Sequence, residues 1–375
     1  MREEAAGKEG IPLAVKDLID TAGLKTTYGS VIYRDHVAER SAECVLRLER
    51  AGYVVVGKTN LHEFAYGISS ENPHFGPVRN PLDTKRIAGG SSGGSAAALA
   101  SGMCDAALGT DTGGSIRIPA ACCGVVGLKT THGLLSMDGI FPLAPSFDTV
   151  GPMARTVSDC AATFAVLAET AVPAGADLGA LRIGVAESFF EACSPGVEEA
   201  VRSALARLPR AETAEFPGPD SFRYEAMFYA EASVSHAATF PARAADYGRD
   251  VARRLDEGRR VSAVEYLVSR EKLVEYRLAC ALALEGCDLL ATPTLPSVAP
   301  MLGTTTIEAG GREWGARDFL TRYTRPFNSL GWPALALPCG TAENGLPASL
   351  QLVGRPGDDA LVLAAGSAVE ELLSG

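Results

Sequence analysis

Apolar positions along the chain switch between two spacings. Short β-rich runs at residues 11–15 and 53–56 read as strands, and the patterns at 42–51 and 95–101 read as helices. The helix at 95–101 is almost entirely Ala, Ser and Leu and stops at Gly102, the composition of a tightly packed buried helix. Residues 171–180, rich in Ala, Gly and Pro, read as a linker into a strand at 181–185. From 194 to 283 the pattern is helical, charged and free of chemical motifs. Strand character returns at 287–292, ahead of a Pro-rich segment, and again at 333–338 and 348–353. No repeat or low-complexity tract interrupts this rhythm, which predicts an α/β fold.

Composition narrows the class. A chain of 375 residues, 47% hydrophobic, can bury a large core, and its length alone is compatible with about two domains. The 34 basic and 45 acidic residues give a net charge of −11, which argues against nucleic acid or an anionic membrane as a direct ligand. Nine scattered cysteines, odd in number and never spaced CxxC, fit buried thiols in a reducing compartment and neither a disulfide frame nor a zinc site. The charged start at residues 1–4 lacks the apolar stretch of a signal peptide, and no run of 18 uncharged apolar residues follows. A cytoplasmic protein is expected.

The chemistry gathers in two glycine-rich serine clusters, GGSSGGS at 89–95 and DTGGSIR at 111–117, preceded by an apolar run ending in Lys16 and Asp17. Glycines let backbone N–H groups approach one ligand atom, and such a nest suits a developing oxyanion. A serine at its end is placed to attack the carbonyl whose oxygen the nest holds. Flexible turns remain an equally open reading of the clusters on spacing alone. Residues 89–93 also fit GxSxG, but a nucleophile elbow follows an apolar strand, whereas residues 80–87 are charged and turn-like. Residues 52–59 fit the Walker A pattern, yet their variable positions are aromatic and β-branched, where a phosphate loop needs a flexible cradle. The five histidines (His36, His62, His74, His132 and His236) show no metal-ligand spacing, and a Ser-His-Asp triad is disfavoured.

With these residues in hand, the chain resembles the amidase signature family. The segments that carry the resemblance are 11–30, 54–67, 76–133 and 327–356, the central block being the most specific. The resemblance implies a single α/β/α domain over 1–375 with a mixed, twisted sheet: a catalytic core at 11–160, a variable substrate-shaping region at 181–286, and closing strands and a helix at 287–375. It implies Lys16 as catalytic lysine, Ser91 as bridging serine after a cis Gly90–Ser91 peptide, and Ser115 as nucleophile. The N–H groups of Thr112, Gly113, Gly114 and Ser115 match the oxyanion hole, while Ser92, Asp111 and Arg117 are expected to fix the loops through hydrogen bonds. Lys58 and Lys129 also end glycine-bounded strands, and motif position alone separates Lys16 from them.

The implied reaction is amide hydrolysis through a Ser115 acyl-enzyme with a Ser91/Lys16 proton relay, without cofactor or metal. As partners it implies a small-molecule amide, no directly bound nucleic acid and no membrane, with a homodimer left open. Two departures stand out. Lys16 comes almost at once, where the family carries several dozen helical residues first, so a truncated or reduced member is expected; the segment at 171–287 is also short. Within the family the alternative is the glutaminase subunit of a tRNA-dependent amidotransferase. That branch carries an acidic residue three positions before the Thr of a TxPxN segment, here Thr324-Arg325-Pro326-Phe327-Asn328, and this chain has Thr321 there. Neutral or apolar amides are therefore the expected substrates, with glutamine a poor one. A catalytically silent scaffold protein is the alternative of another class, disfavoured by the intact Lys16, Ser91 and Ser115.

Overall fold

The structure, a computed structural model, describes residues 9–375; the charged start at 1–4 lies outside them. Aliphatic side chains packed from both faces hold β1 (Ile11–Lys16) extended between two parallel neighbours, β2 (Tyr53–Thr59) and β3 (Ala106–Asp111). The sheet continues antiparallel through β5 (Thr149–Ala154) and β4 (Val126–Lys129). At its far end β6 (Ile183–Ala186) lies between β7 (Ala211–Ala214) and β8 (Leu289–Pro293), all three parallel. The antiparallel pair β9 (Ala334–Thr341) and β10 (Pro347–Val353) joins the halves, β9 against β4 and β10 against β8. The result is one mixed ten-stranded sheet, ordered β7-β6-β8-β10-β9-β4-β5-β3-β1-β2. The segments 11–160, 181–286 and 287–375 all contribute strands to it.

Helices cover both faces. On one, α2 (Gly93–Ala100) packs on β1, β3 and β5, and α3 (Arg117–Cys123) packs on β4, β9 and β10. On the other, α1 (Glu43–Arg50), α4 (Val157–Ala168) and the C-terminal α11 (Asp359–Ser374) form a continuous layer. Adjacent residues of β9 show the alternation that separates the layers: Leu335 meets Gly366 of α11, while Ala336 joins the cluster containing Ile116 and Ala120. Beyond the sheet, α5 (Pro195–Leu205) covers β9 and β10, and a helical group follows: α6 (Glu225–Ser235), α7 (Arg249–Gly258), α8 (Ala263–Ala283), α9 (Ala316–Thr321) and α10 (Arg325–Leu330). The capping box of Ser262 and Glu265 sets the start of α8. No helix among the described residues is long and apolar enough to cross a membrane.

The α/β rhythm is the observed fold, with informative differences. Strands β3 and β5 were not expected because AALGTD and TVGPMA are rich in Ala and Gly and buried throughout, so they lack the half-buried alternation that marks a strand, whereas β4 is the glycine-bounded strand that Lys129 was expected to end. The region 194–283 is not wholly helical: β7, built from the poor strand formers Ala and Glu, exists because β6 offers it a parallel partner. The 95–101 helix starts earlier, at Gly93, and the strand at 53–56 runs on to Thr59. That extension puts most of the Walker-like segment in a strand, and the GxSxG match follows a separate hairpin of Arg79–Asn80 with Asp83–Ile87 that lies outside the main sheet.

Crowding within the sheet gives a direct test. A Cβ added to Gly151 of β5 would strike the Leu128 carbonyl oxygen of β4, whereas one added to Gly57 of β2 meets nothing within 4 Å. Gly151→Ala should lower the unfolding free energy by about 2 kcal/mol or more in urea titration. Gly57→Ala should stay within about 0.5 kcal/mol of the parent, and equal effects would contradict the packing described.

Candidate active site

Parallel pairing brings the ends of β1 and β3 to one edge of the sheet, with Val15 beside Leu108. Lys16 and Thr110 therefore emerge together, and the loop before α2 lays Ser91 and Ser92 across them. The Gly90–Ser91 peptide is cis, as the resemblance implied. Lys16 Nζ donates to Ser91 Oγ at 2.7 Å, Thr110 Oγ1 at 2.7 Å and Ser92 Oγ at 2.9 Å. All three acceptors are neutral hydroxyls, and the lysine is fully buried. Burial pushes its pKa down to about 7, against the opposing pull of Asp111 and Asp148.

The nest is shaped by a second buried group. Arg117 Nε donates to Asp111 Oδ2 and Nη2 to Oδ1, each at 3.0 Å, with neither side chain exposed. Arg117 also donates to Gln351 Oε1 and Asn328 Oδ1 at 2.7 Å and to Thr324 O at 2.9 Å, binding the nest to β10 and α10. Burial raises the Asp111 pKa, but Arg117 and Asn328 outweigh it and leave the carboxyl well below its usual range. The same carboxylate accepts from the backbone of Gly114 at 2.8 Å and Ile116 at 3.1 Å. Of the four expected donors, Gly114 is thus engaged within the loop, and the N–H groups of Thr112, Gly113 and Ser115 are left without an acceptor among the described residues. Gly114 has φ +128°, and a Cβ there would collide with Thr324 Oγ1, so this turn requires glycine.

Ser115 lies at the end of the nest with 6% of its surface exposed. Its carbonyl accepts from Ser92 N–H at 3.1 Å, which locks the two serine clusters side by side. The Lys16–Ser91 contact is formed, while no hydrogen bond joins Ser91 Oγ to Ser115 Oγ among the described residues. The other lysines point elsewhere. Lys129, its pKa also pushed down to about 7 by burial, donates to Thr130 O at 2.7 Å, and Lys58, near 8, serves Ile19 O and Thr26 Oγ1. Geometry, and not basicity, distinguishes Lys16.

Sequence reading missed several residues of the site. Thr110 directly precedes the DTGGS cluster, and Thr324 and Asn328 stand in the TxPxN segment, so both had a local signal; Gln351 had none. Nor had Asp148, which accepts from Thr112 Oγ1 at 2.7 Å, or Tyr224, whose hydroxyl would lie 3.1 Å from a Cβ on Gly113. Thr321 is buried, and its hydroxyl donates to Arg317 O at 3.0 Å within its own helix.

Comparisons with known proteins show the family and the fold. The amidase family model matches residues 4–363. A glutamyl-tRNA(Gln) amidotransferase subunit from Roseiflexus castenholzii (strain DSM 13941 / HLO8) is 39% identical over 413 residues, covering 97% of this chain and 82% of the relative. A solved amidase crystal structure is 38% identical with a TM-score of 0.91, covering 98% of this chain and 85% of its own. A chain of an inhibitor-bound vestigial protein complex, one that reveals the evolutionary origins of an s-triazine catabolic enzyme, is 33% identical. Its TM-score is also 0.91, over 98% of this chain and 86% of its own.

The lowered Lys16 pKa has a thermodynamic signature. Below about 7 the amine is protonated in folded and unfolded chains alike; between about 7 and the ordinary 10.5 the unfolded chain holds the extra proton, so stability rises with pH. Lys16→Met should remove about 1.4 kcal/mol per pH unit from that slope, measured by urea unfolding from pH 7 to 10. An unchanged slope would mean that Lys16 is charged in the folded protein.

Proposed function

From the premise that the chain belongs to the amidase family and is an amide-cleaving enzyme, we propose that the bond is broken through a Ser115 acyl-enzyme, with Ser91 and Lys16 moving the protons. The observation that carries this reading is the Lys16–Ser91 contact at a buried amine ringed by neutral oxygens. A neutral amine has two N–H donors and one lone pair, so one of its three hydroxyl neighbours must turn and donate. Ser91 is the neighbour that can be replenished from Ser115.

In the first half-reaction Lys16 Nζ takes the Ser91 proton and Ser91 Oγ takes that of Ser115. Ser115 Oγ bonds to the amide carbon as the carbonyl π pair moves to oxygen, where the N–H groups of Thr112, Gly113 and Ser115 receive it. Collapse breaks the C–N bond, and the relay returns its proton to the departing nitrogen. Water then attacks the ester by the same relay, releasing the acid and restoring Ser115. Asp111 and Arg117 act by holding the nest, and Ser92 and Thr110 by orienting the amine. The 181–286 segment shapes the substrate wall in this reading, since Tyr224 beside Gly113 belongs to it.

The nine cysteines are all free, including the adjacent buried pair Cys122 and Cys123, which supports a reducing cytoplasm. The partner is a small amide, with neither nucleic acid nor membrane bound directly, and a homodimer is compatible with this reading. The relatives named as amidotransferase subunits favour a second reading, a glutaminase that works within such a complex. Thr321 weighs against it, because it offers no charge to the substrate ammonium.

A fluorophosphonate should label Ser115, located by mass spectrometry, and Ser115→Ala should lose activity by several orders of magnitude. Labelling of Ser91 in Ser115→Ala would reverse the roles. The kcat/KM profile should rise with pH through about 7, a limb that Lys16→Ala removes and Lys129→Ala retains. Glutamine should be a poor substrate for the chain alone; ammonia release from glutamine only with amidotransferase partners and charged tRNA would establish the second reading.

A further inference from the structure

The wall beside the nest holds a positive charge that the reaction does not use. Arg317, on α9, lies against aromatic rings, its guanidinium 5.7 Å from the centre of Phe228, 5.6 Å from Tyr229 and 5.8 Å from Tyr66. Its Nη1 donates to the Tyr229 hydroxyl at 2.9 Å. Neighbouring arginines have acids: Arg322 and Arg325 meet Asp220 at 3.0 Å, and Arg254 meets Asp250 at 3.0 Å. Arg317 has no carboxylate within 4.0 Å among the described residues. The groups that act on its titration, besides burial, are Tyr229, Tyr224 and Tyr66. Burial pushes the Tyr224 phenol up to about 12 and raises that of Tyr66 as well. At neutral pH Tyr224 and Tyr66 therefore carry no negative charge beside Arg317.

Two further observations point to a ligand. The Tyr66 hydroxyl is buried without a hydrogen-bond partner among the described residues, although its ring is fixed between Phe228 and Arg254. Tyr224, packed on Phe228, carries the wall to Gly113 in the nest. A half-buried guanidinium set among aromatic rings without a counter-ion is a ready partner for an anion, and an anion arriving with the substrate gives it one while satisfying the waiting hydroxyls.

We propose that the substrate is an amide bearing a carboxylate, gripped by Arg317 with Tyr66, Tyr224 and Tyr229 while the nest holds the amide carbonyl; this rests on the Ser115 reading above. Thr321 pointed to neutral amides because it lacks charge for an ammonium. The cation that selects an anion lies one turn earlier on the same helix and accepts Thr321's hydroxyl proton at its carbonyl.

The test compares malonamate, succinamate and glutaramate with methyl-terminated amides of equal length. At least one carboxylate should exceed its neutral counterpart by about 100-fold in kcat/KM. Arg317→Met should abolish that preference, mainly by raising KM for the carboxylate substrate. Equal turnover of charged and neutral substrates by the parent overturns the proposal whether or not the variant folds, and so does a preference that survives in Arg317→Met. Where no amide is turned over yet fluorophosphonate labels Ser115, protection decides: malonate, succinate or glutarate should slow labelling of the parent and not of Arg317→Met, and no protection overturns the proposal. Absence of both labelling and turnover would instead sink the Ser115 reading itself, and this proposal with it.

Discussion

Asp111 and Arg117 meet at 3.0 Å with both side chains out of water, and each remaining polar atom of the pair finds a partner in the loop, β10 or α10. A buried pair of this kind contributes little net stability against an apolar replacement, but losing one partner costs several kcal/mol because the other is left charged in the interior. Its role here is geometric. It bends residues 111–117 into a nest, takes the Gly114 N–H for itself, and fixes the end of β3 against elements more than 200 residues away in the chain.

Above this frame, the same exclusion of water changes the chemistry of Lys16. An exposed lysine would be an ammonium at neutral pH; buried among hydroxyls, its amine is close to half neutral. Lys129 receives the same shift without acquiring a task, since it reaches only a backbone carbonyl. Basicity is set by burial and is shared; contact with serine hydroxyls is set by the pairing of β1 with β3 and distinguishes Lys16 from Lys129.

What the sequence disclosed follows the same division. Lys16, Ser91 and Ser115 sit in short contiguous motifs, because a strand end, a turn and a glycine nest are each local constructions. The hydrogen bond that takes Gly114 out of the set of donors was not legible, since it depends on how the Asp111 side chain folds back. Arg317 and Tyr224 were hidden for another reason: one lies in the short α9 and the other just ahead of α6, neither in a motif of its own, and only the tertiary arrangement brings both against Phe228. Strands β3 and β5 escaped because complete burial erases the alternation by which a strand is recognised.

The central claim is that burial lowers the Lys16 amine far enough to stand neutral on Ser91 in a large share of molecules near pH 7. Nitrogen-detected NMR of lysine-labelled protein, titrated with pH, reads this directly, the Lys16 Nζ signal being identified by its loss in Lys16→Met. The account predicts that this signal titrates at about 7. Titration near the ordinary lysine value of about 10.4 would contradict it.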